Sequence, residues 1–193
     1  MEKQQKDRIR KQFLKTRDAL KPADRLRDST SIRQRVFSSV DWRTAQTVLM
    51  YVSFRSEVDT HKLIQDALAQ KKRVVLPVSD RNRKEIGLSE LQAYGDLAPG
   101  SFEGIYEPAV KLRKRVDPSE VQLVLIPGVA FDRQGGRIGM GGGYFDRLLV
   151  EMPKARRLGL AFSVQVSDKP LPVEPHDIHL QLLITEKESI PIP

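Results

Sequence analysis

The sequence predicts an α/β fold: an open, mainly parallel sheet with helices on both faces and an N-terminal helical segment packed against it. Three observations carry that expectation. Short apolar, β-branched runs recur along the chain and alternate with segments whose apolar residues fall at helical spacing. Thr47–Val52, a helix reaching about Gln70, and Arg73–Val78 make a strand–helix–strand unit. Its short connections imply parallel pairing and a right-handed crossover. Finally, Leu123–Ile126 runs into a glycine-dense stretch that ends in a short helix, Tyr144–Met152. At 193 residues the chain is expected to be one domain, residues 1–193, large enough for a proper core.

In order, Lys3–Leu20 reads as a helix with Ile9, Phe13, Thr16 and Leu20 on one stripe, closed by Pro22. Lys6, Arg10 and Arg17 form a second stripe beside it. Such a stripe either leans over a pocket edge or snorkels along the surface. A second helix is expected from Ala23 to Val40, with Leu26, Ile32, Val36, Phe37 and Val40 turned inward. After strand Thr47–Val52, Ser53–Val58 is a loop, and Asp59 or Thr60 caps a helix that buries Leu63, Ile64, Ala67 and Leu68. Leu88–Leu91 is an expected edge strand, and Leu97–Pro108 an extended, turn-rich loop. Arg157–Ala161 and Leu182–Thr185 are further strands, separated by a proline-bracketed turn, Leu171–Asp177. Ligands in such sheets sit at the carboxyl ends of strands, near a switch in strand order. Ser53–Glu57, the glycine stretch and Ser163–Gln165 all leave strand ends and are expected to share one cleft.

Half of the 12 glycines lie between Gly135 and Gly143. Glycine costs conformational entropy, so this density implies positive φ angles or close approach of backbone to a ligand. A strand, a glycine loop carrying Arg137 and a helix N-terminus make a sound anion cradle, because free N–H groups and the helix dipole both favour negative charge. Plain turns are the competing reading. There is no Gly-Lys-Ser/Thr, and Gly139-Met140-Gly141-Gly142-Gly143 does not complete a dinucleotide fingerprint. Arg133, Arg137 and Arg147 tip the balance towards an anion.

Composition narrows the class. No apolar run approaches the roughly 20 residues of a membrane span. The polar N-terminus lacks a signal-peptide core, and with no cysteine there is neither disulfide nor thiolate chemistry, so a cytoplasmic location is expected. A net charge of +8 invites nucleic acid, but the basic residues are spread along the chain and aromatics are only 6%. A small polyanionic substrate is favoured over nucleic acid. His61, His176 and His179 are too scattered to form a clear ligand set.

Seven segments, in order and covering nearly the whole chain, carry a resemblance: the basic N-terminal helix, Ser56-Glu57-Val58-Asp59-Thr60 with Arg73–Pro77, Gly104-Ile105-Tyr106-Glu107-Pro108, Pro127–Asp132, Gly141–Arg147, Gly159–Phe162, and Pro172–Asp177. Together they resemble the 5-formyltetrahydrofolate cyclo-ligase (5,10-methenyltetrahydrofolate synthetase) family. The resemblance implies ATP-dependent closure of 5-formyltetrahydrofolate to 5,10-methenyltetrahydrofolate, with Mg²⁺ as cofactor and with ADP and phosphate released. It implies phosphorylation of the formyl oxygen, which turns a poor leaving group into a good one. A non-catalytic anion- or nucleic-acid-binding protein on the same fold is the alternative. A monomer acting on small molecules, without membrane or nucleic acid, is expected.

Carried over position by position, the resemblance implies that Lys6 and Arg10 contact nucleotide and that Arg137, Ile138, Gly139, Met140, Gly141, Gly142, Gly143, Tyr144 and Phe145 form the ATP loop. Arg137 and Tyr144 are the implied catalytic residues, with Arg137 stabilising charge on the transferred group. Val52 and Glu57, with Met140–Tyr144, are implied to contact the folate. Asp146 and Asp177 are the implied metal ligands, against bland readings as a first-turn acid and a turn aspartate. Phe102 is placed near the pterin, with a loop anchor an equal alternative. Three departures stand out: Phe145 where many members have tyrosine, Met140 where tyrosine or arginine is common, and Gly142 in place of a lysine. They imply weaker, more metal-dependent ATP binding.

Overall fold

The computed structural model describes residues 2–80, 85–101, 104–174 and 177–193. Phe102 and His176 lie outside them. The chain begins with helices α1 (Glu2–Asp18), α2 (Pro22–Ser38) and α3 (Val40–Thr44), then strand β1 (Thr47–Leu49), helix α4 (His61–Ala69) and strands β2 (Arg73–Asp80) and β3 (Glu85–Leu91). β4 (Leu97–Pro99), β5 (Tyr106–Pro108) and β6 (Lys114–Arg115) follow, then β7 (Leu123–Ile126), β8 (Ala130–Asp132), β9 (Arg137–Ile138) and helix α5 (Tyr144–Val150). β10 (Arg156–Leu160), β11 (Val166–Ser167), β12 (Leu182–Ile184) and β13 (Ser189–Pro191) complete it.

The main sheet has the order β13-β12-β10-β7-β1-β2-β3-β6. Its five central strands, β12 to β2, are parallel; β13, β3 and β6 join antiparallel at the margins. Apolar residues alternate between two cores because successive strand side chains point to opposite faces. Val48, Val74, Leu76, Leu123, Leu125, Leu158 and Ile184 pack with α2, α3 and α4. Leu49, Val75, Val124, Ile126 and Leu183 pack with Leu148 and Leu149 of α5. Helices therefore cover both faces, as the strand–helix alternation predicts.

Several expectations are corrected. Helix Ala23–Val40 breaks at Ser39, which is extended (ψ 146°); its hydroxyl donates to the Val36 carbonyl and caps α3 by accepting from Trp42 N–H at 3.2 Å. The break turns Trp42 into the core and leaves Val40 64% exposed. Leu26 is 65% exposed, because it lies about 80° round the helix from the stripe holding Val36. Thr16 is exposed and Arg17 is buried, so α1 is rotated to turn its basic stripe inward. Leu88–Leu91 belongs to a longer strand covered by β6, not an edge, and Leu97–Pro108 closes as the hairpin β4–β5. Of the two cap candidates for α4, Asp59 accepts from the His61 N–H at 2.9 Å, and Thr60 makes no side-chain cap. Its buried hydroxyl donates to Tyr51 O at 2.6 Å and accepts from Ser53 N–H at 2.9 Å, closing the loop that leaves β1.

Candidate active site

From β1 the chain steps to β2 on one side and returns for β7 on the other, so the order switches between β1 and β7. Loops leaving those two strands diverge and open a crevice, the usual ligand position in such sheets. A cavity of about 930 Å³ lies there. Lys6, Arg10, Val52, Glu57, Arg137–Phe145, Asp146 and Asp177 all line it. Sequence segments up to 171 residues apart are thus brought to one cleft.

The glycine stretch is not one loop. Its first part is the hairpin β8–β9, in which Phe131 pairs with Arg137. Asp132, buried at the turn, accepts from Gln134 and Gly136 N–H at 2.8 Å each and from Leu171 N–H at 2.7 Å. Gly135 has φ +88°, and a side chain there would meet Leu180 backbone. Gly135 and Gly136 therefore serve a turn, and of the six glycines from Gly135 to Gly143 it is Gly139, Gly141, Gly142 and Gly143 that reach the cavity wall. Gly143 sits at φ +62° immediately before α5. The first N–H groups of a helix lack intrahelical partners and are available to an anion. Met140 and Tyr144 are exposed at this rim, Tyr144 with its ring under Arg147 at 5.1 Å. The Phe145 ring packs against both cores while lining the cavity, which gives the aromatic group a structural task needing no hydroxyl.

Arg137 projects from β9 with its side chain only 5% exposed. Nη2 donates to Asp146 Oδ1 at 2.7 Å, and Nη1 makes a long contact of 3.4 Å to Pro127 O. Nε is buried and has no hydrogen-bond partner among the described residues. A guanidinium carries five donors, so this group is under-satisfied for its burial. Asp146 Oδ2 is engaged by no described residue.

Two residues of the basic stripe of α1, Lys6 and Arg10, line the cavity. Lys6 Nζ bonds Asp177 Oδ2 at 2.6 Å and Glu174 Oε2 at 2.7 Å. Burial pulls the Lys6 ammonium down, but the hydrogen bonds and charges of Asp177 and Glu174 outweigh it and hold the group above its ordinary value. Arg10 Nε bonds Gly139 O at 2.8 Å, and Arg10 also pairs with Asp7. On the opposite wall, Val52 is nearly buried, and Glu57 accepts from Phe54 N–H at 2.9 Å. Burial pushes the Glu57 carboxyl up, against the opposing Phe54 N–H bond and the charge of Arg17.

Both implied metal ligands thus carry a cationic side chain, Asp146 through Arg137 and Asp177 through Lys6. Among the described residues no three acidic or histidine side chains cluster. Asp146 and Asp177, both lining the cavity, have the chemistry that would suit Mg²⁺, an ion commonly held by one or two carboxylates together with substrate phosphates. Sequence reading gave Asp132 and Glu174 no role, and it expected Ser163–Gln165 in the cleft, whereas that segment is not among the residues lining the cavity. The Asp132-x-Gln134-x-Gly136 spacing is an Asx-type turn signal that points to the first. Gln165 bonds the Gly128 and Val129 carbonyls across 37 and 36 positions of chain, which no local pattern reveals.

No helix among the described residues is long and apolar enough to cross a membrane. The sequence model of the 5-formyltetrahydrofolate cyclo-ligase family matches residues 2–186. The chain is 32% identical to the 5-formyltetrahydrofolate cyclo-ligase of Haemophilus influenzae over 184 residues, covering 93% of this chain and 97% of that one. It is 35% identical over 144 residues to the Escherichia coli protein of the same name, covering 73% and 78% of the two chains. The solved structure of the Aquifex aeolicus 5,10-methenyltetrahydrofolate synthetase superposes with a TM-score of 0.85 at 35% identity, over 97% of this chain and 92% of that one. Fold, cleft and these relatives agree: the chain is an enzyme belonging to the 5-formyltetrahydrofolate cyclo-ligase family.

Proposed function

We propose that this cyclo-ligase couples ring closure to ATP. The formyl oxygen of 5-formyltetrahydrofolate attacks the γ-phosphorus, and the bond to the departing ADP breaks. The carbon, now bearing a phosphate leaving group, is attacked by N10. N10 loses its proton, phosphate departs and the methenyl bridge remains. This chemistry asks the protein for positioning and charge neutralisation rather than a nucleophile.

One observation carries the reading: Arg137 lines the cavity with its side chain only 5% exposed, beside four glycines that present backbone to the same space. Among the described residues its guanidinium meets only Asp146 Oδ1 and, at 3.4 Å, Pro127 O, so it keeps donor capacity and charge for a phosphate held at the cavity wall. In this reading Arg137 neutralises charge on the transferred group, and Gly139–Phe145 with Lys6 and Arg10 hold the nucleotide. Tyr144 closes the rim between the two substrates, and Val52 and Glu57 bind the folate. Asp146 and Asp177 would hold Mg²⁺, which supplies further charge neutralisation at the phosphates. A non-catalytic nucleic-acid binder would present its cations on an open face; Lys6 and Arg10 turn inward instead, with side chains 13% and 18% exposed. The test is nucleotide binding by the Asp146→Asn protein, which should need more Mg²⁺ for half-saturation. An unchanged metal titration removes Asp146 from the metal site.

A further inference from the structure

The basic stripe of α1 has three members, and the proposed chemistry uses two. Arg17, the third, is 3% exposed and does not line the cavity. Its Nε donates to Ser56 Oγ at 3.0 Å and its Nη1 to Gly128 O at 3.3 Å. Ser56 precedes Glu57 in the loop leaving β1, and Gly128 lies just beyond β7. One side chain therefore spans the two strand-end loops on either side of the switch point. The Ser56 hydroxyl is fixed further by donating to Asp18 on the same helix. The Gly128 carbonyl is also held by Gln165 Nε2 at 2.9 Å.

This arrangement is expensive to build. A buried guanidinium must find acceptors, and a carbonyl and a hydroxyl are weaker partners than a carboxylate. A plain helix anchor is made more cheaply by an apolar residue at this position, as Ile9 and Phe13 do against the core of Ala130, Ile138 and Leu171. What an arginine adds is directed bonds to two separate loops and a positive charge beside Glu57.

We propose that Arg17 is a positioning residue for the folate end of the reaction: it fixes the Ser56–Glu57 loop against the end of β7, and reaches the substrate only through Glu57. The proposal rests on Glu57 contacting the folate. Loss of such a supporting bond loosens the contact residue it orients.

The test measures equilibrium binding of 5-formyltetrahydrofolate without nucleotide, and separately the KM for ATP, in Arg17→Met, Ser56→Ala and Glu57→Gln proteins. Arg17→Met should weaken folate binding about tenfold, the scale of one charge-assisted hydrogen bond, and leave the KM for ATP within about twofold. Ser56→Ala, which keeps the arginine and removes one acceptor, should weaken folate binding in the same direction by a smaller factor, and reports even if Arg17→Met fails to fold. A general anchor of α1 would instead loosen Lys6 and Arg10 too, so a parallel rise in both constants overturns the proposal. So does unchanged folate binding in Arg17→Met and Ser56→Ala when Glu57→Gln binds weakly. If Glu57→Gln binds folate normally, the assignment of Glu57 is what has failed, and the route through it falls with it.

Discussion

Replacing Arg137 with alanine separates the charge of the site from its framework. The guanidinium is 5% exposed and its carboxylate partner Asp146 is 21% exposed, with 2.7 Å between them. Breaking a fully buried pair costs about 3–5 kcal/mol, because one charge is left stranded. Here the survivor, Asp146, reaches solvent, and the lost Arg137 had an Nε without a partner among the described residues, so the cost should be smaller, about 1–3 kcal/mol. For a domain of this size that is a fall in Tm of about 3–10 °C. A domain of ordinary stability stays overwhelmingly folded at 25 °C after such a loss. Turnover should fall by about a thousandfold or more, the scale seen when an arginine that stabilises phosphoryl transfer is removed. The assay pairs a melting curve with methenyl formation at saturating ATP and folate, corrected for the folded fraction. Near-full turnover in folded Arg137→Ala protein would refute the charge-stabilising role, and so would a loss of turnover that melting alone accounts for.

Glu57→Gln should raise the Tm of the ligand-free protein at neutral pH. Burial raises the folded-state pKa of Glu57 above its unfolded value, so above pH 4.5 the unfolded chain loses this proton first and stability falls as pH rises. The gain should shrink as pH drops towards 4.5; a gain independent of pH would exclude charge burial as its cause. Two glycine-to-alanine changes should behave oppositely. At Gly128 a Cβ would come within 2.4 Å of the wholly buried Phe131 ring, costing about 1–3 kcal/mol of stability. At Gly142 it would come within 2.6 Å of the Tyr144 ring, which is exposed at the cavity rim rather than packed in the core. Melting should therefore change by less than about 0.5 kcal/mol there, while substrate affinity changes. Equal destabilisation at both sites would contradict this distinction.

The parallel core was legible because its strands, buried on both faces, read as continuous apolar runs such as Leu123–Ile126. The margins were not: β13 consists of Ser189-Ile190-Pro191, and β6 of two basic residues, which carry no strand pattern. The Ala23–Val40 helix shows where local periodicity stops being enough. Ser39 fits a helix by spacing, yet its hydroxyl favours a cap, and only burial of Trp42 decides between them. In the site, lining residues were legible from the motif and the family resemblance, but their pairing was not. Nothing in the sequence says that Asp177 meets Lys6, which depends on how α1 and the tail close over the sheet, or that Asp146 meets Arg137, which depends on how the glycine loop sets α5 against β9. The glycines divide in the same way: Gly135 and Gly136 answer to Asp132 and the turn, and the four that follow Ile138 answer to the cavity.

The most direct measurement of the central claim is turnover of 5-formyltetrahydrofolate followed by methenyl absorbance, with phosphate release recorded in parallel. With Mg²⁺ and ATP the account predicts methenyl product and one phosphate per product formed, and no product when either nucleotide or metal is withheld. With Met140 and Gly142 leaving the loop uncharged, it also predicts a steep dependence of the KM for ATP on Mg²⁺ concentration. Properly folded protein that forms no methenyl product, or forms it equally well without ATP, would contradict the account.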